Sequence, residues 1–162
     1  MPSRLVLLDN TVLTNFSLVH RVDLVLNLWG EAGATTPAVI AEYQAGVEVR
    51  DLTPDAWEGL PVISLSQSEK AFAKTLSNTL GAGETSCLAV AVHRQGMVAT
   101  DDADARRVAR KHGLRLSGSL GILVLNTRRG AITLAKGNGL LEQLIDLGFR
   151  SPVNTLDDLV VS

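Results

Sequence analysis

Acidic residues stand at four separated places in the chain: Asp9, Glu42, Glu84 and the run Asp101-Asp102-Ala103-Asp104. Each falls at the end or start of a predicted strand or helix. Carboxylates gathered at close range raise one another's pKa unless positive charge stands between them. A divalent ion supplies that charge, and Mg²⁺ or Mn²⁺ suits an oxygen-rich donor set. Water activated at such an ion can attack a phosphodiester in line. The pattern therefore points to hard-metal phosphodiester chemistry, provided the fold gathers these residues. No histidine is needed: His20, His93 and His112 lack zinc-ligand spacing and read as surface or helix-end residues.

Each acid also has a plainer role. Asp9 suits a helix N-cap. Glu84 in a first helical turn complements the macrodipole. Asp102 or Asp104 could cap the helix that starts at Ala103. Glu42, inside Val39-Ile40-Ala41-Glu42-Tyr43, is the least explained by local rules. The joint placement is what favours a shared site.

The positioning elements follow from the apolar pattern. Arg4 to Leu8 reads as a buried strand with Asp9 at its carboxyl end. Val12, Leu13, Phe16, Val19, Val22, Val25, Leu26 and Trp29 keep helical spacing, so one helix is expected up to Gly30 and Gly33. Thr36 and Pro37 open the next helix as N-cap and first residue. Residues 46 to 61 read as a loop with a short helical piece, and Val62 to Leu65 as a strand. Ser66-Gln67-Ser68-Glu69 is a capping box for a helix to about Leu80. Gly81-Ala82-Gly83 breaks it and Glu84 begins a buried helix to about Arg94. Met97 to Thr100 is a strand ending at the aspartates, Ala103 to His112 a helix closed by Gly113, and Leu114 to Leu116 a last strand. Ser119 to Thr127 and Leu134 to Leu147 complete the helices. Alternating strands and helices imply an α/β fold with a parallel sheet covered on both faces, and ligands bind such sheets beyond the strand carboxyl ends.

With 162 residues the chain fits one domain, 1–162. Aromatics are only 4%, so aliphatic side chains must fill the core and stacking platforms are scarce. The lone Cys87 excludes an internal disulfide; set in an apolar run, it reads as a buried structural thiol. No leader peptide is read at Met1-Pro2-Ser3-Arg4 and no membrane-length apolar run occurs, so the cytoplasm is the expected compartment. The net charge of −2 argues against a uniformly basic coat. Arg106, Arg107, Arg110 and Lys111, stacked as i, i+4 pairs on one helix, still form a local basic face that could hold phosphates, with Arg128 and Arg129 a second pair. A solvated helix end accounts for the same residues.

Four segments together resemble the PIN-domain family of metal-dependent nucleases: Leu8-Asp9-Asn10-Thr11, Pro37 to Glu42, Gly81 to Ala89, and Val98 to Asp104. They cover most of the chain in the family's order. The Gly-Glu segment, the Asp-Asp-x-x-x-Arg-Arg-x-Ala segment and Gly118 to Leu123 look most like a prokaryotic branch near toxin ribonucleases of the VapC type. The resemblance implies a three-layer α/β/α sandwich with an acidic metal pocket. It carries Asp9, Glu42, Glu84 and Asp102 over as catalytic, metal-site acids and Mg²⁺ or Mn²⁺ as cofactor. Asp101 competes with Asp102 for the family's Thr-x-Asp position, and Asp104 is a further ligand or water-orienting acid. Glu84 stands where many relatives have Asp. Thr11 and Thr100 would orient an acid or a phosphate.

The implied activity is endoribonuclease, with RNA as substrate and a small antitoxin protein as partner. The rival implication is a catalytically weak or inactive module that binds RNA or protein. The apolar helices Phe16 to Trp29 and Leu120 to Leu125 offer a homodimer face, and core packing explains them equally. A phospho-receiver domain would need its acid pair early and a lysine after a later strand. A haloacid dehalogenase would need Asp where Thr11 stands. The glycines at 81 and 83 follow a helix, unlike a dinucleotide-binding loop.

Overall fold

The strand β1, Val6–Leu8, is buried along its whole length, which a strand covered on both faces must be. The computed structural model describes residues 4–76 and 78–161. Met1, Pro2 and Ser3, part of the no-leader reading, lie outside the described residues. So does Ser77, within the expected helix to Leu80.

β1 is the second strand of a four-stranded, all-parallel sheet ordered β2-β1-β3-β4, where β2 is Gly33–Ala34, β3 Met97–Ala99 and β4 Arg115–Ser117. Leu8 pairs with Ala99, and Ala99 with Ser117, so the carboxyl ends of the three longer strands lie level. Those ends lead directly into Asp9, Thr100 and Gly118. Parallel neighbours need crossovers, and the helices supply them. Between β1 and β2 run α1, Asn10–Leu18, and α2, Asp23–Trp29. Between β2 and β3 run α3, Pro37–Arg50, α4, Gln67–Thr75, and α5, Ala82–His93. α6, Ala103–Lys111, joins β3 to β4, and α7, Ser119–Arg128, α8, Leu134–Asp146, and α9, Asp157–Val160, follow. α5 lies on β1 and β3 with α3, α4 and α6 around it, while α1 and α2 pack against α7, which carries α8 and α9. The result is an α/β/α sandwich.

Several boundaries differ from the sequence reading. The expected helix from Val12 to Trp29 is two helices, because His20 adopts φ 56 and turns the chain between them. Both halves keep their apolar face, so the spacing alone runs on through the break. α3 continues to Arg50, into the expected loop. Tyr43, buried on this helix, donates its hydroxyl to Thr53 O at 2.6 Å and so clamps the chain just after the helix end. Trp57 Nε1 donates to Leu13 O at 3.1 Å and pins the same segment to α1. Val62 to Leu65 forms no strand beyond one parallel bridge, Thr35 to Val62. The partner strand is instead Gly33–Ala34, a strand by virtue of pairing with β1.

The capping box at Ser66 and Glu69 forms in full, yet α4 ends at Thr75. Glu69 is also gripped by Arg94, whose Nε and Nη2 each donate at 2.9 Å to a different carboxylate oxygen. This fork ties α4 to the end of α5 and holds the Glu69 carboxyl down at about 2, mainly through the Arg94 hydrogen bonds. The apolar residues of Phe16 to Trp29 and Leu120 to Leu125 largely enter this chain's own core: Phe16, Leu24, Val25, Ile122, Leu123 and Val124 are buried, whereas Leu125 is exposed. No described helix is long and apolar enough to cross a membrane.

Candidate metal centre

Asp9 follows β1 directly, and its N–H still donates to Ala99 O at 3.0 Å as the ladder ends. Its backbone is extended, as an N-cap requires, and its Oδ1 accepts from Asn10 N at 2.8 Å. Oδ2 accepts from Thr100 Oγ1 at 2.7 Å. The residue is 1% exposed. Burial pushes its carboxyl up from 3.8 to about 7; the charges of Glu84 and Glu42 push the same way, against the Thr100 and Asn10 hydrogen bonds.

Thr100 is fully buried and also accepts from Asp102 N at 3.1 Å. Its one hydroxyl hydrogen goes to Asp9, so Thr11, 3.5 Å away, is the donor between the two threonines. Thr11 Oγ1 in turn accepts from Asp101 N at 2.9 Å. The two hydroxyls thus tie the ends of β1 and β3 together beneath Asp9.

Glu42 arrives from the second turn of α3, which Thr36 caps with Pro37 at the first position. Thr36 Oγ1 accepts from Val39 N and lies 2.6 Å from Ser86 Oγ, docking α3 on α5. Glu42 Oε1 accepts from Gly83 N at 2.8 Å. A Cβ on Gly83 would stand 2.7 Å from Glu42 Oε2, so this carboxylate lies in a cradle that glycine leaves open. Glu84, at the third position of α5, accepts from Gly81 N in a capping interaction. Its carboxyl is raised, first by burial and then by the charges of Asp102, Glu42 and Asp104. Asp102 caps α6 by accepting from Ala105 N at 2.8 Å through Oδ2.

The charges of Glu84 and Glu42 bear on Asp9, and those of Asp102, Glu42 and Asp104 bear on Glu84. Asp104 pairs with Arg107 at 2.8 Å. Asp101 points elsewhere: its oxygens accept from Asn15 Nδ2 at 2.9 Å, Ser119 N at 2.7 Å and the Ser119 hydroxyl. Among the described residues, none of the ion pairs involves Asp9, Glu42, Glu84 or Asp102. Glu42 Oε2, Glu84 Oε1 and Asp102 Oδ1 also accept no hydrogen bond from the described residues. Among the described residues, no three His, Cys, Asp or Glu side chains are already arranged to hold a metal ion. The donors fit a hard divalent ion in kind: all are carboxylate oxygens, and the group lacks a positive partner.

The basic helix divides. Arg106 turns inward, its Nη1 donating to Thr100 O at 2.8 Å and Ser117 O at 2.9 Å, so it bridges the ends of β3 and β4. Sequence spacing carried no sign of this inward role. Arg107 is spent on Asp104, and Arg110 and Lys111 are exposed at the last turn of α6. Cys87 is buried with its thiol pushed up by burial, then by the Asp9 charge, which leaves no thiolate nucleophile beside the acids. A family model described as a PIN domain matches residues 5–161. No curated protein matches the chain.

Proposed function

This chain belongs to the PIN-domain family, whose members are generally nucleases, and on that premise we propose that it is a metal-dependent endoribonuclease. The observation that carries the proposal is Asp9: a buried carboxyl, raised to about 7, facing Glu84 and Glu42 without a cationic side chain. Such a residue is costly to the fold unless a positive charge from outside completes it.

Asp9, Glu42, Glu84 and Asp102 would hold Mg²⁺ or Mn²⁺, and Asp104 would orient water at the rim. When bound, the ion supplies positive charge that activates water and offsets the charge developing on the phosphate. The chain's own residues do the positioning. Thr100 and Thr11 fix the Asp9 carboxylate, Gly83 N fixes Glu42, and Gly81 N fixes Glu84. A carboxylate at the rim would accept the proton of the attacking water, and the oxygen of the leaving nucleotide would take a proton from solvent as its bond to phosphorus breaks.

The alternative is a catalytically weak module that binds RNA or protein, favoured by the lack of a ready-made metal arrangement among the described residues. We assign the protein to the cytoplasm, on its single buried, unpaired cysteine. A small antitoxin protein covering the acidic region would make it the toxin of a pair, and a homodimer would be the assembly. The test is incubation of the purified protein with a mixed RNA pool, with Mn²⁺ or with chelator, beside Asp9→Asn. Cleavage by wild type with Mn²⁺ alone supports the nuclease. Equal cleavage by both proteins means a contaminant, and RNA retention without cleavage means the binding module.

A further inference from the structure

We propose that Asp101 is a positioning residue for the metal-site acids: its carboxylate grips α1 and α7 so that its own backbone N–H sets the pair of threonine hydroxyls behind Asp9 and Asp102. The inference rests on the metal reading of Asp9 and Asp102 and adds what keeps those two acids in register.

Asp101 meets α1 twice. Its N–H donates to Thr11 Oγ1 at 2.9 Å, and its Oδ2 accepts from Asn15 Nδ2 at 2.9 Å. Thr11 and Asn15 are four residues apart, so they share one face of the helix that Asp9 caps. From α7, Ser119 N donates to Oδ1 at 2.7 Å and the Ser119 hydroxyl donates to Oδ2. Ser119 Oγ also accepts from Asn15 Nδ2 at 3.1 Å, which closes a triangle of Asn15, Asp101 and Ser119. Gly118 gives α7 no side-chain cap, and Asp101 serves the first N–H of that helix instead. A Cβ on Gly118 would stand 2.6 Å from Asp101 Oδ1 and 3.0 Å from Thr100 O, so glycine there leaves the carboxylate its place.

This anchoring reaches the acids through two hydroxyls. Thr11 Oγ1 accepts from Asp101 N and lies 3.5 Å from Thr100 Oγ1. Thr100 Oγ1 donates to Asp9 Oδ2 at 2.7 Å and accepts from Asp102 N at 3.1 Å. One hydroxyl thus touches both acids, and Thr11 and Asp101 fix its surroundings. With three donors on its oxygens, the Asp101 carboxylate acts on the scaffold, as groups behind metal ligands do.

The test is titration with Mn²⁺, followed by electron paramagnetic resonance, of wild type, Asp101→Asn, Ser119→Ala and the swap Asp101→Asn/Asn15→Asp, each with and without Thr11→Val. In Asp101→Asn an amide donor replaces the acceptor that Asn15 needs. Ser119→Ala breaks the triangle without changing its charge. The swap rebuilds the triangle with donor and acceptor reversed and the net charge unchanged. Asp101→Asn and Ser119→Ala should each weaken Mn²⁺ binding about tenfold, and the swap should recover most of the loss. Neither substitution should add to the loss caused by Thr11→Val, because Asp101 acts through that hydroxyl. Folded variants with wild-type affinity, or losses that persist undiminished beside Thr11→Val, overturn the proposal. Ser119→Ala carries the test if Asp101→Asn does not fold. The metal reading fails separately: if wild type takes up no Mn²⁺, hydrogen exchange in the metal-free protein decides the positioning role. The backbone amides of residues 101 and 102, which donate to the two threonines, should then exchange about tenfold faster in Asp101→Asn and slow again in the swap. Unchanged rates overturn the proposal.

Discussion

Replacing Asp9 by Asn should stabilise the metal-free protein while removing its response to metal. The Asp9 carboxyl titrates near 7 in the fold rather than near 3.8. Ionising it therefore costs the folded state about 4 kcal/mol relative to the unfolded chain. Asparagine keeps the shape and can accept from Thr100 or Asn10, but those bonds lose their charge assistance, worth about 1–2 kcal/mol. The expected net gain at pH 8 is about 2 kcal/mol. Because the folded pKa is raised, the favourable protonation is fully present below pH 3.8 and is lost as pH rises through about 7. The advantage of Asn should thus shrink toward zero or reverse near pH 4. Mn²⁺ at about 100 times its Kd should add about 2.7 kcal/mol to wild type and nothing to the variant. Urea unfolding at both pH values, with chelator and with Mn²⁺, measures all of this. A variant less stable than wild type at pH 8 without metal, or a gain of equal size at both pH values, refutes the electrostatic account.

Gly83→Ala should displace Glu42, since the new Cβ would stand 2.7 Å from Oε2; Mn²⁺ affinity should fall about tenfold with little loss of helix stability, read by calorimetry beside a melting curve. Thr100→Val removes the donor that holds Asp9 Oδ2, so the Asp9 carboxyl should titrate above its present value in a carbon-13 NMR titration of the metal-free protein. Arg94→Ala should lower stability by about 1–3 kcal/mol in urea unfolding at pH 7. The loss should narrow as pH falls through 4.5 toward 2, because the depressed Glu69 pKa contributes stability only while that carboxyl is ionised.

The local placement of the acids was legible from capping and helix-start rules. Asp9 and Asp102 end strands and cap helices, Glu84 lies in a first turn, and parallel α/β sheets bring such ends to one edge. The choice between Asp101 and Asp102 was not legible. Neighbouring residues point apart at a strand end, and the donors that claim Asp101 come from Asn15 and Ser119, far away in sequence. Arg106 looked like its neighbours on α6 until the carbonyls of Thr100 and Ser117 gave it a task. β2 escaped notice because Gly33–Ala34 carries no strand propensity; its pairing with Val6 and Leu7 is a tertiary fact. The break at His20 was hidden because the two helices on either side bury the same stripe.

The most direct measurement is titration of the purified protein with Mn²⁺, following the free ion by electron paramagnetic resonance. A saturable site is expected in wild type, lost or greatly weakened in Asp9→Asn. Identical titrations of the two proteins, or no uptake by wild type, would contradict it.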